Sequence, residues 1–417
     1  MLFITPTLRS PATIVLLVVL STVPALAAGE VDPELGPAPG SCRLTGSGPV
    51  EIPFDIWRGD IRFTGKINGH EVRLLLDNGF MWDELLFFGG PKVDALGLKT
   101  DGEIEVSGGG DGDPVPSKTA SGITLALPGV VFHDQAAVLT PTESGVWRMW
   151  WGSEGQVCGT FFKHFVVGID FDRKVLTLTR PEDFSPAGKG EQVPLKPFGD
   201  GAWGFPAKLK LQGGRTVEMV LAMDLGDGKA LELDQRGPHK LTAPQRAVEG
   251  SLGFGIQGEV TGCHGRVESV TIGNHRVDAV VAGFVSPDHQ GPVFHEAVVG
   301  MGLLSRFNLV FDYPARRLFI TPNRSFSAPF EHEMTGAGLR KGKGAWLEVV
   351  RLHPGSPAAE AGLKPGDKVI RIDGRRAVEY DAWDLRPLLR RNGATVRFTV
   401  RRGEKEIDVP VKLRPLI

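Results

Sequence analysis

The sequence predicts a mainly β fold: two β-barrel lobes of short strands in tandem, then a small α+β module. Three observations indicate this. Fifty-five glycines in 417 residues fit many tight turns between short strands. Two unlike motifs recur in the same order, separated by roughly 145 residues, which is typical of a duplicated unit. Helical periodicity is scarce until the last part of the chain.

Composition limits the class of protein. Hydrophobic residues make up 41% and charged residues 23%, as in soluble globular proteins of two or three domains. The formal net charge of -2 provides no basic field for nucleic acid. Cys42, Cys158 and Cys263 lack zinc-ligand spacing, so neither a metal nor another cofactor is expected.

The N-terminus predicts export. Arg9 precedes an apolar run at 14–20, and Ala25-Leu26-Ala27 has the small residues of a signal-peptidase site. We therefore expect a signal peptide over residues 1–27, a flexible leader over 28–49, and a periplasmic or secreted protein without a membrane span after cleavage. An uncleaved anchor is the alternative, although the run is short for a span.

The repeat defines the body of the protein. The strand at 71–76 ends in Asp77-Asn78-Gly79, and the strand at 216–223 ends in Asp224-Leu225-Gly226. A second pair of motifs follows, at 157–178 and at 299–320. The repeat predicts two lobes, residues 50–185 and 190–322, each with an aspartate on a tight loop.

Two aspartates in equivalent loops predict a shared site. Carboxyls held close together cannot both ionise, so one keeps a proton while the other acts as a base. Asp77 and Asp224 would then be general base and general acid, in roles that can exchange. Gly79 and Gly226 permit the backbones to approach closely.

These motifs resemble those of the retropepsin-type aspartyl proteases, in the two-lobed single-chain arrangement of pepsin. The resemblance implies that Asp77 and Asp224 are a catalytic dyad, that segments 103–118 and 250–262 are flaps, and that the protein is an exported aspartic-type endopeptidase. One chain would contain both lobes, so a monomer is expected.

The sequence departs from that family after each aspartate. Thr or Ser is usual there, and its hydroxyl braces the two loops. Asn78 can replace those hydrogen bonds in part, whereas the Leu225 side chain can neither donate nor accept. The alternative is therefore a catalytically inactive, protease-like peptide-binding scaffold in the cell envelope.

Residues 336–417 form the third predicted unit. Ser356 is the expected N-cap of a short helix that has Pro357 first and ends at Gly362. The run from Pro354 to Gly374 resembles the PDZ domains of bacterial periplasmic proteases. The resemblance implies binding of peptide or protein C-termini by strand addition. The expected contact residues are Gly344, Ala345, Trp346, Leu347, Glu348 and Val349; a structural or dimerising role is the alternative.

Overall fold

The computed structural model describes residues 3–5, 40–79, 83–148, 150, 152–199 and 201–417. The predicted signal peptide therefore lies outside the described residues except for a short strand, β1 (Phe3–Thr5). Most of the predicted leader, 28–49, also lies outside them. The described part of the chain is mainly β, as predicted.

The first half of the body forms a ten-stranded sheet, here called sheet I. Its path is β1-β8-β9-β10-β7-β11-β6-β5-β4, with β2 paired to β10. The predicted Asn68-Gly69 hairpin turn joins β5 and β6, and both of its residues have positive φ. The remaining strands of sheet I are β2 (Cys42–Leu44), β4 (Asp55–Trp57), β5 (Asp60–Ile67), β6 (His70–Leu76), β7 (Leu85–Phe87), β8 (Thr100–Ser107), β9 (Val115–Leu127), β10 (Val130–Leu139) and β11 (Gly155–Val157).

The second half of the body forms another ten-stranded sheet, sheet II. Its path is β19-β20-β23-β18-β24-β17-β16-β21-β22, with β15 paired to β16. Its strands are β15 (Lys196–Pro197), β16 (Trp203–Lys210), β17 (Thr216–Asp224), β18 (Leu231–Asp234), β19 (Val248–Gly255), β20 (Gly258–Arg266), β21 (Ser269–Ile272), β22 (His275–Asp278), β23 (Val281–Val285) and β24 (Ala297–Gly300).

The repeat in the sequence has a counterpart in the pairing of the strands. In sheet I, β11 lies parallel to β6 and antiparallel to β7, and β7 lies parallel to β10. In sheet II, β24 lies parallel to β17 and antiparallel to β18, and β18 lies parallel to β23. The strand that leads to each aspartate loop therefore has the same neighbours in both sheets.

A six-stranded sheet, here called the bridging sheet, joins the two halves. At its centre β12 pairs antiparallel with β25, and Gly168 faces Val310 there. Its order is β14-β26-β25-β12-β13-β3, so each half contributes three strands. The strands are β3 (Val50–Pro53), β12 (Val166–Asp170), β13 (Val175–Thr179), β14 (Glu191–Pro194), β25 (Phe307–Asp312) and β26 (Arg317–Pro322).

The C-terminal module has its own six-stranded sheet, the terminal sheet, and its own core. The order is β27-β28-β29-β31-β32, with β30 paired to β29. Its buried apolar residues form a cluster separate from that of the body. Its strands are β27 (Ala337–Lys341), β28 (Leu347–Leu352), β29 (Lys368–Ile372), β30 (Arg375–Arg376), β31 (Thr395–Arg402) and β32 (Lys405–Lys412).

Helices are short in the described residues. Ser356 caps α4 as predicted, since its side chain accepts a hydrogen bond from the Ala359 amide. Asp381 caps α5 in a capping box with Asp384. The α-helices are α1 (Pro91–Asp94), α2 (Gly159–His164), α3 (Met301–Leu304), α4 (Pro357–Glu360) and α5 (Ala382–Leu389); 3-10 turns span Thr142–Ser144, Val146–Arg148, Pro181–Asp183 and Ala377–Glu379.

Two further observations concern the described residues alone. None of their helices is long and apolar enough to cross a membrane. Cys42, Cys158 and Cys263 are free thiols.

Candidate functional site

The two predicted aspartates lie where β6 and β17 end. The Asp77 amide donates to the carbonyl of Val157 on the parallel strand β11, which fixes the start of the first loop. In each loop the carboxylate turns back on its own backbone. Asp77 Oδ1 accepts from the Gly79 amide at 2.8 Å, and Asp224 Oδ1 accepts from the Gly226 amide at 2.8 Å.

The two loops meet face to face, so the structure brings the predicted carboxyls together. The Asp77 and Asp224 side chains are hydrogen-bonded to one another. A Cβ added to Gly226 would lie 2.8 Å from Asp77 Cγ, and one added to Gly79 would overlap the Asp224 carboxyl. Both glycines are therefore required by the close approach of the opposite aspartate.

A single side chain braces the loops. Asn78 Oδ1 accepts from the Leu225 amide at 2.9 Å, and Asn78 Nδ2 donates to the Tyr313 hydroxyl at 2.9 Å. Asn78 is fully buried, so both hydrogen bonds are shielded from water. The Leu225 side chain is also fully buried and packs in the core of the body. The brace expected from Asn78 is present, and the Leu225 side chain adds none.

The electrostatics are those of two acids that share a proton. Burial and the neighbouring Asp77 raise the pKa of Asp224 to about 7. Burial also raises the pKa of Asp77, which is opposed by hydrogen bonds from the Gly79 amide, Asp224 and Gln156. The pair thus holds a proton at a pH where an isolated aspartate is ionised, and it can both donate and accept hydrogen bonds.

Sequence reasoning missed three groups around the pair. Gln156 Nε2 donates to Asp77 Oδ2 at 3.0 Å, from a residue on β11. The Tyr313 ring stacks on Trp203, with centroids 5.0 Å apart, while its hydroxyl binds Asn78. Asp60, at the start of β5, lies close enough to both aspartates that burial and their charge raise its pKa well above the ordinary value. None of these three has a local motif that marks it.

The predicted flaps, 103–118 and 250–262, meet across the cleft. The contact is centred on Gln257, at the turn between β19 and β20. Its side chain accepts from the Gly108 amide at 2.8 Å and donates to the Gly112 carbonyl at 2.6 Å. Its backbone amide donates to the Gly109 carbonyl, and its carbonyl accepts from the Gly112 amide. The two hairpins thus bridge the space above the aspartates.

A cavity of about 1020 Å³ surrounds the pair. Its lining includes Asp60, Asp77 and Asp224 of the body, and residues of α5 and β27 of the C-terminal module. Lys229 contributes an ammonium that is already neutralised: it lies 2.9 Å from Asp227 and 3.1 Å from Glu232. No group of three metal-ligating side chains is found among the residues that the structure describes.

The residues predicted to bind peptide in the C-terminal module do not lie at an open edge of the terminal sheet. Gly344, Ala345 and Trp346 form a tight hairpin turn in which the Trp346 amide donates to the Gly344 carbonyl. Leu347, Glu348 and Val349 belong to β28, which is paired with β27 on one side and β29 on the other. A strand with two neighbours cannot accept a third, so the predicted receiving edge is wrong. The outer strands of the terminal sheet are β27 and β32, and β27 is the one that lies next to β28.

A carboxylate is already bound at the start of β27. Glu333 accepts hydrogen bonds from the amides of Thr335, at 2.6 Å, and Gly336, at 3.1 Å, and also from the Thr335 hydroxyl. Amides that converge on a carboxylate are therefore found next to β27, whereas in the turn at 342–346 the Gly342 and Trp346 amides donate to the turn's own carbonyls.

Comparison with known proteins defines the class of this module. Residues 348–402 match the family model described as "PDZ domain". The chain therefore has a PDZ domain near its C-terminus, as the sequence predicted.

Three curated relatives share short stretches with the chain. A serine protease HTRA1 of Xenopus tropicalis is 34% identical over 67 residues, which are 16% of this chain and 14% of the relative. A zinc metalloprotease of Brucella suis is 38% identical over 61 residues, 15% and 16% of the two chains. A CtpA-like serine protease of Staphylococcus haemolyticus is 29% identical over 91 residues, 21% and 18%. The chain thus spans less than a fifth of each.

These names contradict the predicted catalytic type. The relatives are named as serine or zinc proteases, so the prediction of an aspartic-type endopeptidase is wrong. The repeat predicts where two carboxyls meet, which depends on geometry alone. Hydrolysis also needs a positioned water and a placed substrate, and neither can be inferred from an Asp-x-Gly loop.

Proposed function

We propose that this protein binds polypeptides through their free C-termini, in a groove between β27 and α5 of its PDZ domain. The unpaired edge of β27 carries the proposal, because a PDZ domain adds the ligand as a strand to an open sheet edge. The relatives are named as proteases, and proteases act on polypeptides. Their names therefore agree with a polypeptide ligand for this protein.

The walls of the groove support an apolar C-terminal residue. Leu339 on β27 and Leu385 and Leu389 on α5 line the same cavity. Backbone groups along the β27 edge would pair with the ligand, while these leucines would enclose its last side chain. The Thr335 and Gly336 amides bind the Glu333 carboxylate, so a ligand carboxylate would bind at this end of β27 in place of Glu333.

The binding test uses the full chain and a fluorescent peptide that ends in an apolar residue. We expect anisotropy to report binding, and an amidated C-terminus to weaken it at least about tenfold, because a charged hydrogen-bonded group is lost. Leu339→Asp should also weaken it about tenfold or more, since it places a charge in the groove. Val350→Asp is the matched control: Val350 is an apolar residue of the adjacent strand that is 41% exposed.

Equal affinity for the free and amidated peptides, or equal loss in Leu339→Asp and Val350→Asp, would contradict the proposal. The alternative to this proposal is a PDZ domain that dimerises the chain. Sedimentation of the full chain separates the two, because a dimerising module predicts a concentration-dependent mass and the peptide-binding module predicts a monomer.

We also propose that the body consists of two retropepsin-like lobes, residues 50–185 and 190–322, in an exported protein. The matched strand pairing of sheets I and II supports the first point. The apolar run and the Ala-Leu-Ala site within residues 1–27 support the second. Cell fractionation with N-terminal sequencing of the mature chain tests export; a chain that retains Met1 in the cytosol would contradict it.

A further inference from the structure

The Glu333 side chain occupies the part of the PDZ domain where the proposed ligand would place its own carboxylate. Both of its oxygens accept hydrogen bonds there. Glu333 Oε1 accepts from the Thr335 amide at 2.6 Å and from the Thr335 hydroxyl, and Oε2 accepts from the Gly336 amide at 3.1 Å. Two backbone amides and a hydroxyl are the kind of donors that hold a carboxylate strongly.

Glu333 lies between these donors and the groove. It lines the cavity together with Leu339 and Leu389, the leucines proposed to enclose the last side chain of the ligand. Thr335, in contrast, is fully buried and does not line the cavity. A carboxylate that enters from the groove can therefore reach the Thr335 and Gly336 amides only if Glu333 moves away.

The two amides are held in place by the PDZ domain itself. The Thr335 carbonyl accepts from the Ala358 amide of α4 at 3.0 Å, and the Gly336 carbonyl accepts from the His353 amide at 2.8 Å. Gly336 has a φ of 69°, and an added Cβ there would overlap the residue that caps α4. Because these contacts do not involve Glu333, the loss of its side chain should leave the amides in position.

The backbone of the linker is anchored on both sides of Glu333. Arg266 of β20 donates to the Phe330 carbonyl at 2.9 Å, and the Met334 amide donates to the Leu389 carbonyl at the end of α5 at 3.0 Å. A ligand can therefore displace the Glu333 carboxylate by rotation of its side chain, while the linker keeps its path between the body and the PDZ domain.

Arg390 provides a second partner for the displaced carboxylate. Burial raises the pKa of Glu333, opposed by its hydrogen bonds and by the nearby charge of Arg390. The Arg390 Nε is buried and has no hydrogen-bond partner among the described residues. Glu331 also lies close to this guanidinium. The Glu333 side chain thus has a cation nearby when it leaves the two amides.

We propose that Glu333 is an internal competitor of the ligand: its carboxylate closes the site at Thr335 and Gly336 until the C-terminus of a polypeptide displaces it. This inference rests on the proposed C-terminal binding and adds the regulation of that site. Glu333 belongs to the same chain, so its effective concentration at the site is high and does not fall on dilution. The apparent affinity of a peptide is then its intrinsic affinity reduced by the fraction of molecules whose site is open.

The test compares the full chain with its Glu333→Ala variant, using the fluorescent peptide with a free and with an amidated C-terminus. We expect the free peptide to bind about tenfold tighter to the variant, as for a site that is open in about a tenth of wild-type molecules. The amidated peptide should change by about twofold or less, because it has no carboxylate for the vacated amides. If Glu333 instead only shapes the loop, its removal should weaken the free peptide.

Glu331→Ala is the matched control. Glu331 is an exposed carboxylate of the same linker, lines the same cavity and lies close to Arg390, but it does not bind the two amides. Its removal should tighten binding by no more than about threefold, as expected for an exposed charge. Glu333→Gln is a second variant, which removes the charge and keeps an oxygen acceptor for the loop. It should give a smaller gain than Glu333→Ala, and thermal denaturation checks that each variant is folded.

The outcomes distinguish this inference from the proposed function. If the free peptide binds the wild type, but binds the folded Glu333 variants no more tightly, the internal competitor is overturned and C-terminal recognition stands. Equal gains in Glu333→Ala and Glu331→Ala would also overturn it, because a general loss of negative charge would explain them. If neither the wild type nor any variant prefers the free peptide to the amidated one, C-terminal recognition fails, and the inference fails with it.

Discussion

The two aspartate loops have the same backbone contacts and different middle residues. Each carboxylate accepts from the amide of its own glycine at 2.8 Å. In the first loop Asn78 supplies two hydrogen bonds from its side chain, to the other loop and to Tyr313. In the second loop Leu225 supplies only its backbone amide, and its side chain packs in the apolar core.

The difference shows that a side chain from one loop is enough to hold the two loops of a duplicated site together. A brace made from both loops would have two equivalent side chains, whereas here one amide serves as acceptor toward Leu225 and donor toward Tyr313. The apolar Leu225 anchors its loop by packing instead. Because of this asymmetry, the hydrogen bonding between the two loops depends on Asn78.

Asn78→Leu, which makes the two loops alike, should give the largest effect. The Leu225 amide and the Tyr313 hydroxyl would lose their partner inside the protein, which should cost about 3–5 kcal/mol of unfolding free energy. Chemical denaturation measures it. Asn392→Leu, at an exposed turn, is the control and should change little. Comparable losses in both variants would show that Asn78 is not the brace.

Replacing either loop glycine by alanine sharpens the comparison. Gly79→Ala should destabilise by about 3 kcal/mol and Gly226→Ala by somewhat less, because the added methyl meets the opposite carboxyl more closely in the first case. Gly46→Ala, where an added Cβ has no neighbour within 4 Å, serves as control. If Gly226→Ala proves the more damaging of the two, the loops are not arranged as described.

The proton held by Asp77 and Asp224 makes the free energy of unfolding depend on pH, and this effect is smaller than those of the substitutions above. Because the pKa of Asp224 is raised from 3.8 to about 7, the native state holds a proton that the unfolded state has released. Stability from this group is complete below pH 3.8 and is lost as the pH rises through 7. We expect a loss of about 2 kcal/mol between pH 5 and 6.5.

Thermal denaturation over that pH range provides the measurement. Asp224→Asn should reduce the slope, since that side chain no longer titrates, whereas Asp77 and Asp60, whose pKa values burial also raises, still do. Glu71→Gln, on the exposed face of β6, should leave the slope in place. A slope that persists unchanged in Asp224→Asn would assign the pH dependence to another group.

The sequence predicts the parts of the site that local pattern encodes. Asp77 and Asp224 were found because the same strand-and-loop motif occurs twice. Gln156, which donates to Asp77, and Tyr313, which accepts from Asn78, were not found. Neither lies in a sequence motif that indicates its contact. The position of Asp60 depends on how the β4–β5 hairpin folds over the cleft, which only the tertiary structure specifies.

The PDZ domain shows the same limit. The helix cap at Ser356 is local and was predicted correctly. The edge strand was not, because β27 contains Gly338 and an irregularity after it, and such a segment lacks the alternating pattern of a strand. The more typical strand, β28, proved to be internal.

The bridging sheet has a consequence for how the chain can be divided. Strands β12 and β25, from opposite halves, are direct neighbours at its centre. Separating the halves would leave each with three strands of this sheet, and with unpaired backbone amides and carbonyls along β12 in one half and β25 in the other. Neither half of the body is then expected to fold alone, whereas the C-terminal module keeps a core of its own.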